Sequence, residues 1–321
     1  RGYGLAMEES RSCGVSPPSL QLGWLPPGAD PLGPLSAAPR SQLLVAPPAA
    51  PLQAYGALAN EQQLSVLLPL QRGISLEGLP QLRGSDRLWP LLPSRSLEAD
   101  RLAQALLSEG IKRVMVLRDR SAESKALSDR FEASYSNGRG QVIGPTATPI
   151  ALAADDGKAL QQLVSDVDWY RPQGLVVISQ VDSPLAEAIR GSSWPEGVVV
   201  AWTAPVGKPM MQPQIGVSPL GRGPGWRRFA ERFEQRWGYK PGVVESAGYD
   251  SGLMAALASV QTGGRAGWDL QWFSSNAKAQ PLCTALQLRA QGARVRPQAA
   301  SSELDLSPGV PPTAQLRLSR G

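Results

Sequence analysis

The sequence predicts an α/β fold built from doubly wound parallel-sheet lobes, and three observations carry that prediction. Between residues 94 and 219, amphipathic helical segments alternate with short β-branched runs, the pattern of parallel strands joined by right-handed crossovers. The N-terminal part repeats this alternation less regularly, and 321 residues suffice for two domains of ordinary size or one bilobal domain.

The regular stretch opens with "SRSLEADRLAQALLSEG", where Ser94 or Ser96 can cap a helix, Leu97, Leu102, Ala105 and Leu106 form one stripe, and Gly110 ends it. "IKRVMVLRD" follows as a strand of the kind buried on both faces. Then come helix "ESKALSDRFEASY", a strand near "QVIG", helix "GKALQQLVSDVDW", strand "GLVVIS", helix "SPLAEAIRG" and strand "GVVVAWT".

Upstream, a helix is expected over residues 3–12, strands near "LQLGW", "QLLVA" and "LSVLL", and a helix around "PLQAYGALANE". Proline-rich "LPPGADPLGPLSAAP" reads as a loop. Downstream, Trp226, Phe229, Phe233 and Trp237 fall at helical spacing and form a buried stripe. Arg228, Arg232 and Arg236 line another face of that helix, as either an anion-docking patch or a solvated face. A small-residue helix containing Tyr249-Asp250, then "GWDLQWFSS", helix "AQPLCTALQLRAQG" and an irregular tail complete the chain.

Composition narrows the function classes. The +5 formal charge is spread from Arg1 to Arg320 with no basic face interleaved with aromatics, which argues against nucleic-acid binding. The chain has no His, which excludes Ser-His-Asp and Cys-His catalysis and removes the commonest metal ligand. Its two Cys, Cys13 and Cys283, are too few for a Cys-rich zinc site and form either a long-range disulfide or two buried thiols. No apolar run approaches the ~20 residues that span a bilayer.

In a doubly wound sheet, ligands collect at the carboxyl ends of strands, where loops and helix N-termini present free N–H groups. That rule nominates Asp119, Arg120, Ser121 and Glu123 after one strand, Ser179, Gln180 and Asp182 after the next, and Trp202 with Thr203 after a third. Each can equally be an ordinary N-cap or loop polar residue. "SNAK", Ser275 to Lys278, has the spacing of a serine nucleophile and lysine base but lacks the partner motifs of that chemistry. "GRGPG", Gly221 to Gly225, reads as a hinge or turn rather than a phosphate loop, because Pro224 has no N–H. The acidic pairs Glu8-Glu9 and Asp155-Asp156 read as solvated positions.

Taken in order, "GLAMEESRSCG", "LWPLLPSRSLEADRLAQALLSEGIKRVMVLRD", "FAERFEQRWGYKPGVVESAGYDSGLMAALA" and "SSELDLSPG" resemble the type I periplasmic binding proteins, and most nearly the branched-chain amino-acid (Leu/Ile/Val) receptors of ABC transporters. The resemblance implies two α/β lobes joined by hinge crossings, lobe 1 from residues 1–93 and 220–300 and lobe 2 from 94–219 and 301–321, with the family's first strand lying just before Arg1. It implies a monomeric, cofactor-free and metal-free periplasmic receptor, not an enzyme. Such a receptor closes its lobes on a small polar ligand, an amino acid or amide, and presents it to an inner-membrane permease. It is either free or lipid-anchored through a preceding segment.

The ligand residues the resemblance and the strand-end rule nominate together are Ala49, Ala50, Ser75, Asp119, Ser121, Gln180, Trp202, Thr203 and Tyr249, with Asp250 serving its own helix N-terminus. The sequence departs from the family where it would hold a ligand carboxylate. Ala46-Pro47-Pro48-Ala49-Ala50-Pro51 contains three residues without N–H groups and no hydroxyl. The alternative is a degenerate relative acting as a sensor or scaffold lipoprotein with no transported ligand.

Overall fold

The computed structural model describes residues 1–16, 18–21, 23, 29, 30, 32, 42–48, 50–153, 155–180, 183–313 and 316–321. The chain forms two compact units, residues 1–94 with 219–315 and residues 95–218 with 316–321. The expected strand at "LQLGW" is not formed at Leu20, Gln21 or Gly23, which are irregular, and Leu22 and Trp24 lie outside the described residues.

The second unit is a doubly wound sheet. Its strands are β4 (Arg113–Arg118), β5 (Gln141–Val142), β6 (Ile150–Ala151), β7 (Gly174–Ile178), β8 (Val199–Trp202), β9 (Gln214–Ser218) and β10 (Arg317–Arg320), in spatial order β10-β9-β8-β7-β4-β5 with β6 also beside β4. All pairs are parallel except β10 with β9. Val114 to Leu117 and all of β7 are buried because helices cover both faces.

On one face lie Leu102 and Leu106 of α3 (Arg95–Ser108) with Leu127, Phe131 and Tyr135 of α4 (Ala122–Asn137). On the other lie Leu163 and Val167 of α5 (Gly157–Tyr170), Leu185 and Ile189 of α6 (Pro184–Gly191), and Trp194. Each of three helices starts on a hydroxyl or carboxylate that accepts an amide: Ser121 from Ser124, Asp156 from Ala159 and Ser183 from Ala186. The Tyr135 phenol, donating to the Ile111 carbonyl at 2.7 Å, is pushed by burial to about 12.

In the first unit, β1 (Leu43–Val45), β2 (Ser65–Leu68) and β3 (Leu88–Pro90) pair in parallel, with α2 (Leu52–Gln62) crossing between the first two. The main core joins α1 (Gly2–Ser12), α7 (Trp226–Trp237), α8 (Val243–Ser259) and α9 (Leu282–Ala290). Helix α8 is buried over most of its circumference, which explains its small apolar residues and lack of a polar face. Helix α1 approaches it so closely that a Cβ on Gly2 would lie 1.9 Å from the Glu245 carbonyl oxygen. Cys13 and Cys283 form a disulfide, with Cα atoms 5.1 Å apart, that ties the end of α1 to α9.

Three expectations are corrected here. Glu9 is not solvated: at 1% exposure it accepts from the Tyr249 hydroxyl at 2.6 Å and from Arg232, with Arg228 at 3.9 Å, while Arg236 pairs with Glu8. The arginine ladder of α7 is thus committed to the acidic pair of α1. Asp250 does not serve its helix N-terminus. It lies eight residues into α8, wholly buried, and accepts the amides of Ala300 (2.7 Å) and Ser301 (2.9 Å) and the Ser301 hydroxyl (2.5 Å). This anchor explains the third correction: residues 301–315 belong to the first unit, and of the tail only 316–321 joins the second. Leu304 and Leu306 sit in the main core of the first unit.

"GRGPG" is a packing turn against the same anchored segment. Gly223 and Gly225 donate to the carbonyls of Ala300 and Ala299, and a Cβ on Gly223 would lie 2.0 Å from the Ser302 oxygen.

Burial raises the Asp250 carboxyl from 3.8 to about 6, although the Ser301 hydroxyl and the two amides pull the other way. The folded protein then holds a proton that the unfolded chain releases between those values. The advantage this gives the fold is full below about pH 4 and is lost as pH rises through about 6. Asp250→Ala should flatten that slope in denaturant titrations across this window. It should also cost about 3 kcal/mol at pH 5, because two buried amides lose their acceptor. Glu9→Ala, which strips a buried carboxylate from Arg232 and Tyr249, should cost about 3 kcal/mol at neutral pH in the same assay. A midpoint indistinguishable from wild type would remove either residue from its assigned role.

Candidate functional site

The polar groups that the strand-end rule nominates in the second unit are joined by hydrogen bonds. Strand β4 ends at Arg118, and Asp119 next to it turns back to accept the Ser121 amide at 2.8 Å. Its carboxylate also takes hydrogen bonds from the side chains of Ser121, Ser124 and Ser179. Burial pushes that carboxyl up, but these donors outweigh it and hold Asp119 below the ordinary carboxylate value. Ser179, at the end of β7, is buried and shares a 2.5 Å hydroxyl contact with Ser183, the N-cap of α6. Asp119, Ser121, Ser124, Ser179 and Ser183 therefore form one chain linking the ends of two adjacent strands to the starts of two helices.

Thr203 follows the last residue of β8. It is 2% exposed, and its Oγ1 has no hydrogen-bond partner among the described residues. A buried hydroxyl without a partner is costly, of order 1–3 kcal/mol, which is why such groups concentrate where a ligand completes them. Gln180 is exposed next to Ser179, and Asp182 lies outside the described residues.

Trp202 is not part of this edge. Its indole N–H donates to Gln214 at 3.0 Å, the Arg190 guanidinium stacks on its ring at 4.7 Å, and it packs in the core under α5 and α6. The large ring follows the apolar side of the strand, and the sequence rule could not tell the two sides apart.

In the first unit, Ala49 lies outside the described residues and Ala50 is buried in the core under α2. Ser75 is exposed and accepts from the Gln71 side-chain amide at 3.3 Å. Gln71 was missed by sequence reasoning. It is 5% exposed, three residues beyond β2, and its Oε1 has no partner among the described residues. The signal available was the one used elsewhere, a polar residue just past a strand's carboxyl end. Tyr249 belongs to the core with its hydroxyl committed to Glu9, which together with burial holds the phenol far above its ordinary value.

Among the described residues there is no group of three or more His, Cys, Asp or Glu that could hold a metal ion, and no helix is long and apolar enough to cross a membrane. The Ser179 and Thr203 hydroxyls and the Asp119 carboxylate can exchange hydrogen bonds with a bound molecule.

No family model matches the sequence, and no curated protein matches it. Solved structures do match in three dimensions. A solute-binding protein of an ABC transporter from R. palustris, in complex with benzoate, has a TM-score of 0.60 at 15% identity, covering 99% of this chain and 87% of that one. A substrate-binding protein from Desulfitobacterium hafniense, in complex with Leu, has a TM-score of 0.63 at 15% identity, covering 100% and 92%. A branched-chain amino-acid transporter substrate-binding protein from Streptococcus pneumoniae, in complex with isoleucine, has a TM-score of 0.59 at 15% identity, covering 89% and 81%. The chain therefore has the α/β fold of the type I periplasmic binding proteins.

Ser179→Ala removes one of the hydroxyls donating to Asp119. The Asp119 pKa should move upward toward the ordinary carboxylate value in an NMR titration of the side-chain carboxyl, and an unmoved value would separate Ser179 from the cluster.

Proposed function

We propose that this chain is an extracytoplasmic solute-binding protein that captures a small polar molecule at its strand ends and presents it to an ABC transporter permease. The observation that carries this reading is the pair of buried polar atoms left without partners, Thr203 Oγ1 past β8 and Gln71 Oε1 past β2. Both are placed where a doubly wound sheet offers ligands its strand ends. The fold supports it, since each of the similar structures described above is a solute- or substrate-binding protein holding a small molecule.

The ligand's chemistry follows from what the sites offer. Gln71 presents a bare carbonyl acceptor, because its amide is directed at Ser75, and Thr203 presents a hydroxyl. Pro47, Pro48 and Pro51 contribute no N–H where a ligand carboxylate would need donors. The solute accordingly carries N–H or O–H donors, as an amide or amine does, and relies less on a carboxylate.

The Cys13–Cys283 disulfide fits an oxidising compartment outside the cytoplasm, where such bonds persist. We take the receptor to be a monomer without a cofactor. A second reading, a degenerate receptor used as a sensor or scaffold, is favoured by the same proline-rich, donor-poor loop.

A thermal-shift screen of amides, amines, polyamines, amino acids and small carboxylates tests the two. Binding to the folded state alone raises Tm, by an amount equivalent to about 2.7 kcal/mol at a hundredfold excess over Kd. Thr203→Val and Gln71→Leu should reduce the shift given by the best solute. If no solute shifts Tm across the millimolar range, the transport reading falls and the scaffold reading stands.

A further inference from the structure

The candidate residues of the second unit lie past the carboxyl ends of its strands, and the opposite edge of the same sheet carries a different set of side chains. Pairing register sets Arg113 of β4 opposite Gln141 of β5 and Val114 opposite Gly174 of β7, so these three strands start level with one another. Lys112 and Arg113 open β4, Arg139 stands two residues before β5, and Arg171 stands three residues before β7. All four are exposed. Adjacent strands lie about 4.8 Å apart, so cations that the sequence scatters are gathered on one edge within roughly a Debye length of each other.

Among the described residues no acid lies within salt-bridge distance of any of the four, and Glu109, just before β4, is taken by Arg320 at 2.7 Å. The Arg113 guanidinium donates instead to the Tyr170 carbonyl at 3.2 Å, which brings the end of α5 to the same edge. There Trp169 is 81% exposed, with Asp168 exposed beside it. Met211, three residues before β9, is 98% exposed, and its neighbour Gln212 donates to the Trp194 carbonyl ahead of β8. Trp169 and Met211 are the two most exposed large apolar side chains among the described residues. Stability does not account for this edge. Helix C-termini favour a cation, and α4 and α5 end just before Arg139 and Arg171. Both arginines, however, are held at positive φ, 67° and 46°, where glycine is the unstrained residue. The helix ends also give no reason for Lys112, Arg113 or the two apolar side chains, and neighbouring like charges without partners repel.

Unpaired cations beside an exposed indole and thioether are the complement of the headgroup region of an anionic bilayer. Each Lys or Arg gains there from the surface potential, and Trp settles at the level of the headgroups. We propose that this edge of the second unit docks on an anionic membrane surface, with Lys112, Arg113, Arg139 and Arg171 over the headgroups and Trp169 and Met211 entering between them. A nucleic-acid face would need several aromatic side chains for successive bases, and among the described residues of this edge only Trp169 is an exposed aromatic. An acidic protein partner would have to bury Lys112 and Asp168, residue types that protein interfaces tend to exclude. A few cations and one indole make the contact reversible, since stable anchoring takes stronger signals. The docking edge uses none of the residues of the solute site proposed above, and neither reading depends on the other.

Sedimentation of the intact chain with phosphatidylglycerol vesicles, and with phosphatidylcholine vesicles as the neutral control, tests the proposal. The protein should pellet with the first and stay in solution with the second, and added salt should release it. Arg139→Gly combined with Arg171→Gly removes two cations where glycine is unstrained, and should weaken vesicle binding about thirtyfold, the factor expected for two cations at an anionic surface. Trp169→Ser should weaken it independently. Both variants should keep the wild-type Tm, so that a lost contact is not a lost fold. Failure to pellet with phosphatidylglycerol, equal pelleting with the two lipids, or pelleting untouched by the double variant would each overturn the proposal. Binding to polyglutamate or to a single-stranded oligonucleotide that is tighter than vesicle binding and lost in the double variant would reassign the edge to an anionic polymer and overturn it too. None of these outcomes bears on the solute screen.

Discussion

A single carboxylate out of reach of water organises the first unit. Asp250 sits in the middle of the most buried helix and holds the backbone of Ala300 and Ser301, fifty residues further along the chain. A buried charge is tolerated only when its hydrogen bonds are made, so the segment bearing those amides has little choice of place. From that constraint follow the docking of Gly223 and Gly225 on the carbonyls of Ala299 and Ala300 and the entry of Leu304 and Leu306 into the core.

Glu9 plays the matching part in the same helix bundle. Its carboxylate gathers Tyr249 from α8 and Arg228 and Arg232 from α7, so three helices meet at one buried acid. Tyr249 and Asp250 are adjacent in sequence yet point to different anchors, one toward the N-terminal helix and one toward the late segment. The Tyr-Asp pair is a structural junction with two outputs rather than a chemical dyad.

The second unit was legible in the sequence because its order is local. Helix stripes, β-branched runs and a cap such as Ser121 are each decided within a few residues, and the alternation of helix and strand fixes a parallel sheet; Asp156, read as solvated, is also a cap. The first unit was less legible because its defining contacts span 240 residues for Glu9–Tyr249 and 50 for Asp250–Ala300. No periodicity encodes such a pairing, and an acidic dipeptide on a helix reads as solvated until its partner helix is in place. The strand-end rule nominated Asp119, Ser121 and Thr203, which lie just past strand ends, but also Trp202, which packs in the core, since position along a strand says where a residue ends up and not which face it takes. Gln71 escaped because it follows a strand interrupted by Pro69, where attention went to the hydroxyl of Ser75.

The Cys13–Cys283 bond closes a ring of chain that contains the whole 95–218 stretch of the second unit. Made from the N-terminus onward, the protein therefore completes its middle before its beginning. Helix α1 is made before the second unit's main stretch, but its docking surface on α8 and its thiol partner on α9 are synthesised only after that stretch has passed. The apolar side of α1, with Leu5 and Met7, stays uncovered over that whole interval. A chain of this design gains from being held unfolded until its last third is available, and from meeting an oxidant only after the helices have paired.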